Sequence, residues 1–297
     1  MKKPEVLVSS DIVGIWGNFD QLARIYAQSL PVLGEETIAI EMLGWKHLIN
    51  QAKEKTNPLL SIRGIHGPVG GPEAAVSKLE KFKAAVFDQL MAGLEPVVKV
   101  RPELFQAGKS RNYLLVHEPE LKRTGRIQTL VSMEYPGHIL VENVLDVGSL
   151  EATVRQVKAL QAEKVSAGIM IDLVHALKEY TQSLKTLHGL DQHTFDENWK
   201  KVLTNIYQVI SQLPGSGLHI PVGVNGDSLP LEIMTKQHWQ DLAQVIKSLG
   251  ENLEWLTIEN QPADFDLDVF LIREKTLLML AERNYQITSM LAENEVI

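Results

Sequence analysis

Residues 138–176, HILVENVLDVGSLEATVRQVKALQAEKVSAGIMIDLVHA, read as strand, loop, helix, loop, strand. An apolar run from His138 to Val144 ends on two polar residues, Glu142 and Asn143. Ser149 is placed to cap a helix, with Glu151 in the first turn, where the helix dipole favours an acid. Leu150, Val154, Val157 and Leu160 then recur at helical spacing. A second apolar run, Ala167 to Leu173, carries Asp172 at its end, and His175 follows three residues on. Two buried strands joined by one amphipathic helix form a βαβ unit, which implies a parallel sheet. The polar residues fall at the C-terminal ends of both strands, where barrels and open α/β sheets build their sites.

Working outward, the same alternation fills the chain. Strands are expected over 5–10, 37–43, 59–66, 113–117, 218–224 and 253–259, besides the two above. Asn18 and Gln21 suit a capping box for a helix with the stripe Phe19, Leu22, Ile25, Tyr26 and Leu30. Further helices are expected over 45–55, from Pro72 to Gly93 with Phe82, Val86, Phe87 and Leu90 as core, near 103–107, over 195–213, over 235–249 and over 267–283. Residues 94–112 and 118–137 depart from the usual spacing, the second as a reduced helix. The polar stretch 178–194, with His188 and His193, suits a lid, and the tail ENEVI is expected to fray. Eight strand–helix units without a linker predict one domain, 1–297, folded as an α/β (β/α)8 TIM barrel.

Composition narrows the function. The chain has 297 residues, 44% hydrophobic and 22% charged, as globular proteins do. Its formal charge of −8 argues against a large basic groove for nucleic acid. There is no cysteine, which removes thiolate ligands and cysteine nucleophiles. No run approaches the ~20 apolar residues of a membrane span, and MKKPEVLVSS leads into a strand rather than a signal peptide. The expectation is a cytoplasmic enzyme with a small-molecule substrate, no membrane and no nucleic-acid partner; homo-oligomerisation is left open.

His66, His117, Glu142, Asp172 and Glu259 end five strands, His219 lies in a sixth, and His175 follows closely. Closing the barrel brings these side chains to one face. Converging acids repel and hold protons unless a cation removes the penalty. Imidazole and carboxylate without sulfur suit Zn²⁺, Mn²⁺, Fe²⁺ or Co²⁺, one or two per chain. Taken singly, each acid also reads as a helix cap or ion-pair partner, and His66 or His117 as a hydrogen-bonded structural residue. Glu41 reads as a pocket-floor residue or a plain barrel-end acid, Trp16 and HGPVGGPE as pocket lining or a tight loop, and His47, His188, His193 and His238 as surface residues.

The series VEN (141–143), GS (148–149), IDLVH (171–175), LHI (218–220) and IEN (258–260) resembles the xylose isomerase-like TIM barrels. That superfamily holds sugar isomerases and epimerases, inositol-catabolism enzymes and apurinic endonucleases of the endonuclease IV type. The resemblance implies one divalent ion on Glu142, Asp172, His219 and Glu259, with the two glutamates as acid and base and His175 binding substrate. The endonuclease IV pattern adds a second ion on His66 and His117. It also places an Asp-x-His pair after strand seven, whereas this chain reads Asp227-Ser-Leu229, which argues against a third ion. The leading expectation is isomerisation or epimerisation of a small sugar or polyol derivative by proton transfer through a metal-stabilised enediolate. A two-metal phosphoester hydrolase is the alternative, and a non-catalytic metal- or ligand-binding barrel the third reading.

Overall fold

Eight apolar runs of strand length pair side by side in chain order and close on themselves. In the computed structural model the order is β1-β2-β3-β4-β5-β6-β7-β8 in a closed barrel, every pairing parallel. The structure describes residues 3–9, 19–33, 35–43, 46–54, 57–66, 112–117, 137–143, 150–181, 187–223, 228–261 and 274–297. The strands are β1 (Glu5–Ser9), β2 (Ile38–Leu43), β3 (Leu60–His66), β4 (Tyr113–His117), β5 (His138–Glu142), β6 (Ala167–Asp172), β7 (Ser216–Gly223) and β8 (Leu253–Gln261). The described helices are α1 (Phe19–Tyr26), α2 (Leu30–Leu33), α3 (Lys46–Glu54), α4 (Leu150–Ala162), α5 (Leu173–Thr181), α6 (Gln192–Gln212), α7 (Lys236–Leu249) and α8 (Glu274–Glu293). None of the described helices is long and apolar enough to cross a membrane.

Strand side chains alternate between two apolar environments, as a period of two requires. Ile139, Val141, Ile169 and Ile171 join the large core under the helices. Leu7, Tyr113, Leu115, Leu140, Met170 and Trp255 form a separate cluster, the packed interior of the barrel. Two glycines make this interior possible. A Cβ on Gly64 would fall 2.3 Å from the Tyr113 ring, and one on Gly217 would fall 2.7 Å from the Met170 side chain. One step further along the same inward rows stand His117, Glu142 and Asp172.

Several expectations need correction. Residues 173–181 are helical and α6 starts at Gln192, so both ends of the supposed lid at 178–194 belong to helices, while 182–186 lie outside the described residues. Asp191 begins α6 by accepting a hydrogen bond from the Thr194 amide at 2.9 Å, a capping signal that an apolar-stripe reading starting at Phe195 passes over. The chain end does not fray: Val296 is buried, its amide donates to the Leu291 carbonyl at 2.9 Å, and α8 runs to Glu293. His238 is buried against Phe195 and Trp199 rather than lying on the surface, and its Nδ1 accepts from the Thr235 amide at 2.9 Å. His188 is tied to Glu232 and Ser228, whereas His193 is exposed as expected. Trp16, the Asn18 and Ser149 caps, the His47 side chain, the glycine-rich loop after His66, the helix from Pro72 to Gly93, residues 94–111 and 118–136, Asp227 and the segment 267–273 lie outside the described residues.

Candidate metal centre

Register carries the strand-end residues to one place. His117 pairs with Glu142 across β4 and β5, and Asp172 pairs with His219 across β6 and β7. Glu259 stands opposite Pro221, two residues beyond His219. Ligand atoms of Glu142, Asp172, His219 and Glu259 lie within 4.8 Å of one another, and those of His66, His117 and Glu142 form a second such group. All six residues are buried. Every metal-ligand candidate read from the sequence is therefore in one of two groups that share Glu142.

Glu142 divides its oxygens between the groups. Its Oε2 lies 2.9 Å from His117 Nε2 and 3.4 Å from His66 Nε2, while its Oε1 lies 2.8 Å from His219 Nδ1. His219 Nδ1 is also 3.6 Å from Glu259 Oε2. That nitrogen is buried and makes no hydrogen bond, although Glu142 Oε1 lies 2.8 Å away. A buried ring nitrogen aimed among carboxylates without a hydrogen bond is what a coordinating imidazole presents to an ion. The donor set is oxygen and nitrogen only, so the residues fit a divalent cation of the Zn²⁺, Mn²⁺, Fe²⁺ or Co²⁺ kind.

Second-rank contacts hold these donors. Asn143 Oδ1 accepts the Asp172 amide at 2.7 Å and Asn143 Nδ2 donates to the Asp172 carbonyl at 3.4 Å, stitching the end of β5 to the end of β6. Asp172 Oδ1 in turn accepts the His175 amide at 2.7 Å and caps α5. The capping and ligand readings of this acid are thus compatible, since the cap uses Oδ1 and its other oxygen, Oδ2, lies 3.8 Å from His175 Nε2. The His175 side chain is 24% exposed, more than the others, and stands where the centre meets solvent. Of the two readings of Glu41, the structure fits the pocket floor: the residue is buried beneath the centre, its Oε2 3.0 Å from His219 Nε2. Neither Asn143 nor Glu41 had a sequence signal beyond a polar residue late in an apolar strand.

The charges are strongly coupled. Burial alone would lift the Glu142 carboxyl, but the three histidines hold it well below the ordinary carboxylate range. Burial pulls the His66 imidazole down, yet Glu142, Glu41 and Glu259 outweigh it and push His66 up to about 10. His219 likewise resists burial and is held well above the usual histidine value by Glu41 and Glu142. His117 goes the other way, because burial dominates the pull of Glu142 and His66 adds repulsion. Burial and the neighbouring Glu142 charge raise Asp172. Without a cation, protons on His66 and His219 carry the compensating charge.

No protein-family model matches the sequence, and no curated protein matches it. Among solved structures, tryptophan synthase from M. tuberculosis in its aminoacrylate- and BRD0059-bound form aligns over 98% of this chain and 92% of its own, at 9% identity and a TM-score of 0.38. The carboxyl transferase domain of Rhizobium etli pyruvate carboxylase with 3-bromopyruvate aligns over 98% of this chain and 48% of its own, at 11% identity and a TM-score of 0.31. Likenesses this distant assign no activity, and the barrel stands on its own strand order.

Proposed function

We propose that the chain is a divalent-metal-dependent enzyme with a two-ion centre that hydrolyses a phosphoester of a small molecule. The observation that carries this reading is the division of Glu142, one oxygen toward His66 and His117 and the other toward His219. With that division, His66, His117 and Glu142 would hold one ion, and Glu142, Asp172, His219 and Glu259 would hold the other. Such ions supply Lewis acidity to a phosphoryl oxygen and make water a nucleophile near neutral pH. Two divalent charges also match the four buried carboxylates of Glu41, Glu142, Asp172 and Glu259, where one would leave a net negative charge in a buried site. His175, the most exposed of the group, orients the substrate and hands a proton to the leaving oxygen. The chain's acidic balance favours a small substrate over a nucleic-acid duplex.

A second reading has its own support. Glu142, Asp172, His219 and Glu259 already form a complete four-donor set for one ion. In that case His66 and His117 orient Glu142, and the resemblance of the strand-end motifs to the xylose isomerase-like barrels points to a sugar or polyol isomerase or epimerase. Glu142 or Glu259 then removes a proton from carbon, and the other glutamate or His175 returns one. Elemental analysis of protein purified without chelator or histidine tag separates the two. Two ions per chain with turnover of phosphoesters supports the hydrolase. One ion per chain with turnover of sugars replaces it by the isomerase. Protein that takes up no ion even after reconstitution ends both.

A further inference from the structure

The interior just below the centre contains a polar chain that no ligand role explains. Glu41 is buried at 2% exposure in the middle of an otherwise apolar strand. Its Oε2 receives two hydrogen bonds, from His219 Nε2 at 3.0 Å and from the Tyr113 hydroxyl. The Tyr113 hydroxyl also lies 3.3 Å from Thr257 Oγ1. Residues of β2, β4, β7 and β8 thus meet across the barrel axis.

Local backbone features serve this meeting. The β2–β3 register pairs Ile40 with Ile62 but Glu41 with Gly64, so Arg63 is an extra residue in β3. A bulge of this kind re-aims neighbouring side chains and is frequent beside active sites. Here it sets Gly64 opposite Glu41, and Gly64 is where a Cβ would collide with the Tyr113 ring at 2.3 Å. The bulged Arg63 is itself tied away, its Nε donating to Glu5 Oε1 at 2.8 Å. The glycine therefore lets Tyr113 reach Glu41.

We propose that Glu41, held by Tyr113, is the positioning residue of the metal centre: it fixes the His219 imidazole with its proton on Nε2 and turns Nδ1 toward Glu142 and Glu259 as a ligand for a divalent cation. This rests on the metal-centre reading above. Glu41 is not one of the donors, because the two nitrogens of one imidazole face away from each other and Glu41 sits on the Nε2 side. Its carboxylate also raises the basicity of the ring, which strengthens the bond at the opposite nitrogen.

The test is competition titration of Co²⁺ and Zn²⁺ into the full chain stripped by chelator, with the visible spectrum of the Co²⁺ form recorded alongside. Glu41→Gln keeps the shape but removes the charge, and it is expected to weaken binding by about 10–100-fold and to shift the Co²⁺ bands. Tyr113→Phe deletes one hydroxyl and is expected to weaken binding by less, with a shift in the same direction. Gly64→Ala should reproduce the Tyr113→Phe spectrum by displacing the ring. If Glu41→Gln does not fold, Tyr113→Phe and Gly64→Ala carry the test. Affinities and spectra equal to those of the unaltered protein overturn the positioning role. An unaltered protein that binds neither ion overturns the metal centre itself, and the two failures are told apart because the second is visible without any variant.

Discussion

His138 and His219 are both buried histidines inside barrel strands, and nothing in their immediate sequence separates them. At the entry of β5, His138 has both ring nitrogens engaged. Nε2 donates to the Gly215 carbonyl at 2.7 Å, Nδ1 accepts from the Ser166 hydroxyl at 2.8 Å, and the ring stacks on Trp255. Four residues along β5 lead from there to Glu142 at the mouth, where His219 engages only Nε2 in a hydrogen bond and points Nδ1 at carboxylates. Burial does not distinguish a structural histidine from a ligand. The partners of the second nitrogen do.

The largest effect is expected at Glu142, where three imidazoles converge. Glu142→Ala removes the shared donor of both groups and leaves buried imidazoles without their acid. Breaking a buried ion pair in this way costs about 3–5 kcal/mol. Urea unfolding of the metal-free variant should show that loss, and elemental analysis should find neither ion. A variant as stable as the parent would mean that Glu142 does not hold the histidines together.

The pH dependence of the metal-free protein follows from the same contacts. His66 titrates at about 10 instead of 6.5, so its stabilising contribution is complete below about pH 6.5 and is lost as pH rises through about 10. Glu142 is depressed, so its contribution is present above its ordinary value of 4.5 and is lost only in stronger acid. Raising the pH from 7 toward 10 should therefore lower the urea midpoint of chelated protein. Ions bound at the centre replace the protons on the imidazoles, so the loaded protein should lose less. Loading at pH 7 should release protons from His66 and His219, measurable with an indicator dye in weak buffer. Parallel pH profiles with and without metal would remove the centre from the account.

The two histidines themselves give the sharpest contrast. His138→Gln is expected to cost about 1–3 kcal/mol through buried groups left without partners, with the number and affinity of bound ions unchanged. His219→Gln is expected to lose the ion held by Asp172 and Glu259. Loss of metal in the His138 variant would erase the distinction between the two ends.

How much of this was legible follows from what each signal depends on. The eight strands and their order could be read because each is a separate apolar run, and a strand-end residue's place in a barrel depends only on which strand it ends. Hence His66, His117, Glu142, Asp172 and Glu259 could be brought together on paper. Glu41 could not, because its role depends on the bulge at Arg63 and on Tyr113 reaching over Gly64, both three-dimensional facts. The helix α5 was hidden for a related reason: Asp172 ends a strand and caps a helix at once, so no loop separates the two elements. The docked tail has no such signal, because the single buried Val296 carries no periodicity.

The smallest expected effect lies at the strand-entry end, in the turn that feeds β6. Lys164 has φ 63°, the left-handed region, just after α4. Its amide donates to the Gln161 carbonyl at 2.9 Å and the Val165 amide to the Leu160 carbonyl at 3.0 Å, the paired bonds of a Schellman cap. Glycine is the residue that suits this position, and a lysine there bears a backbone penalty that glycine would relieve. Part of the gain is offset by the freedom glycine adds to the unfolded chain, so Lys164→Gly should stabilise by about 0.5 kcal/mol. Metal affinity should stay unchanged, because the turn touches only the strand entry and none of the donors. A loss of stability on urea unfolding would mean that the exposed lysine side chain, not the backbone, decides this turn. A change in metal affinity would mean that strain at the entry of β6 reaches Asp172 at its exit, and the two ends of the barrel would then not be separable.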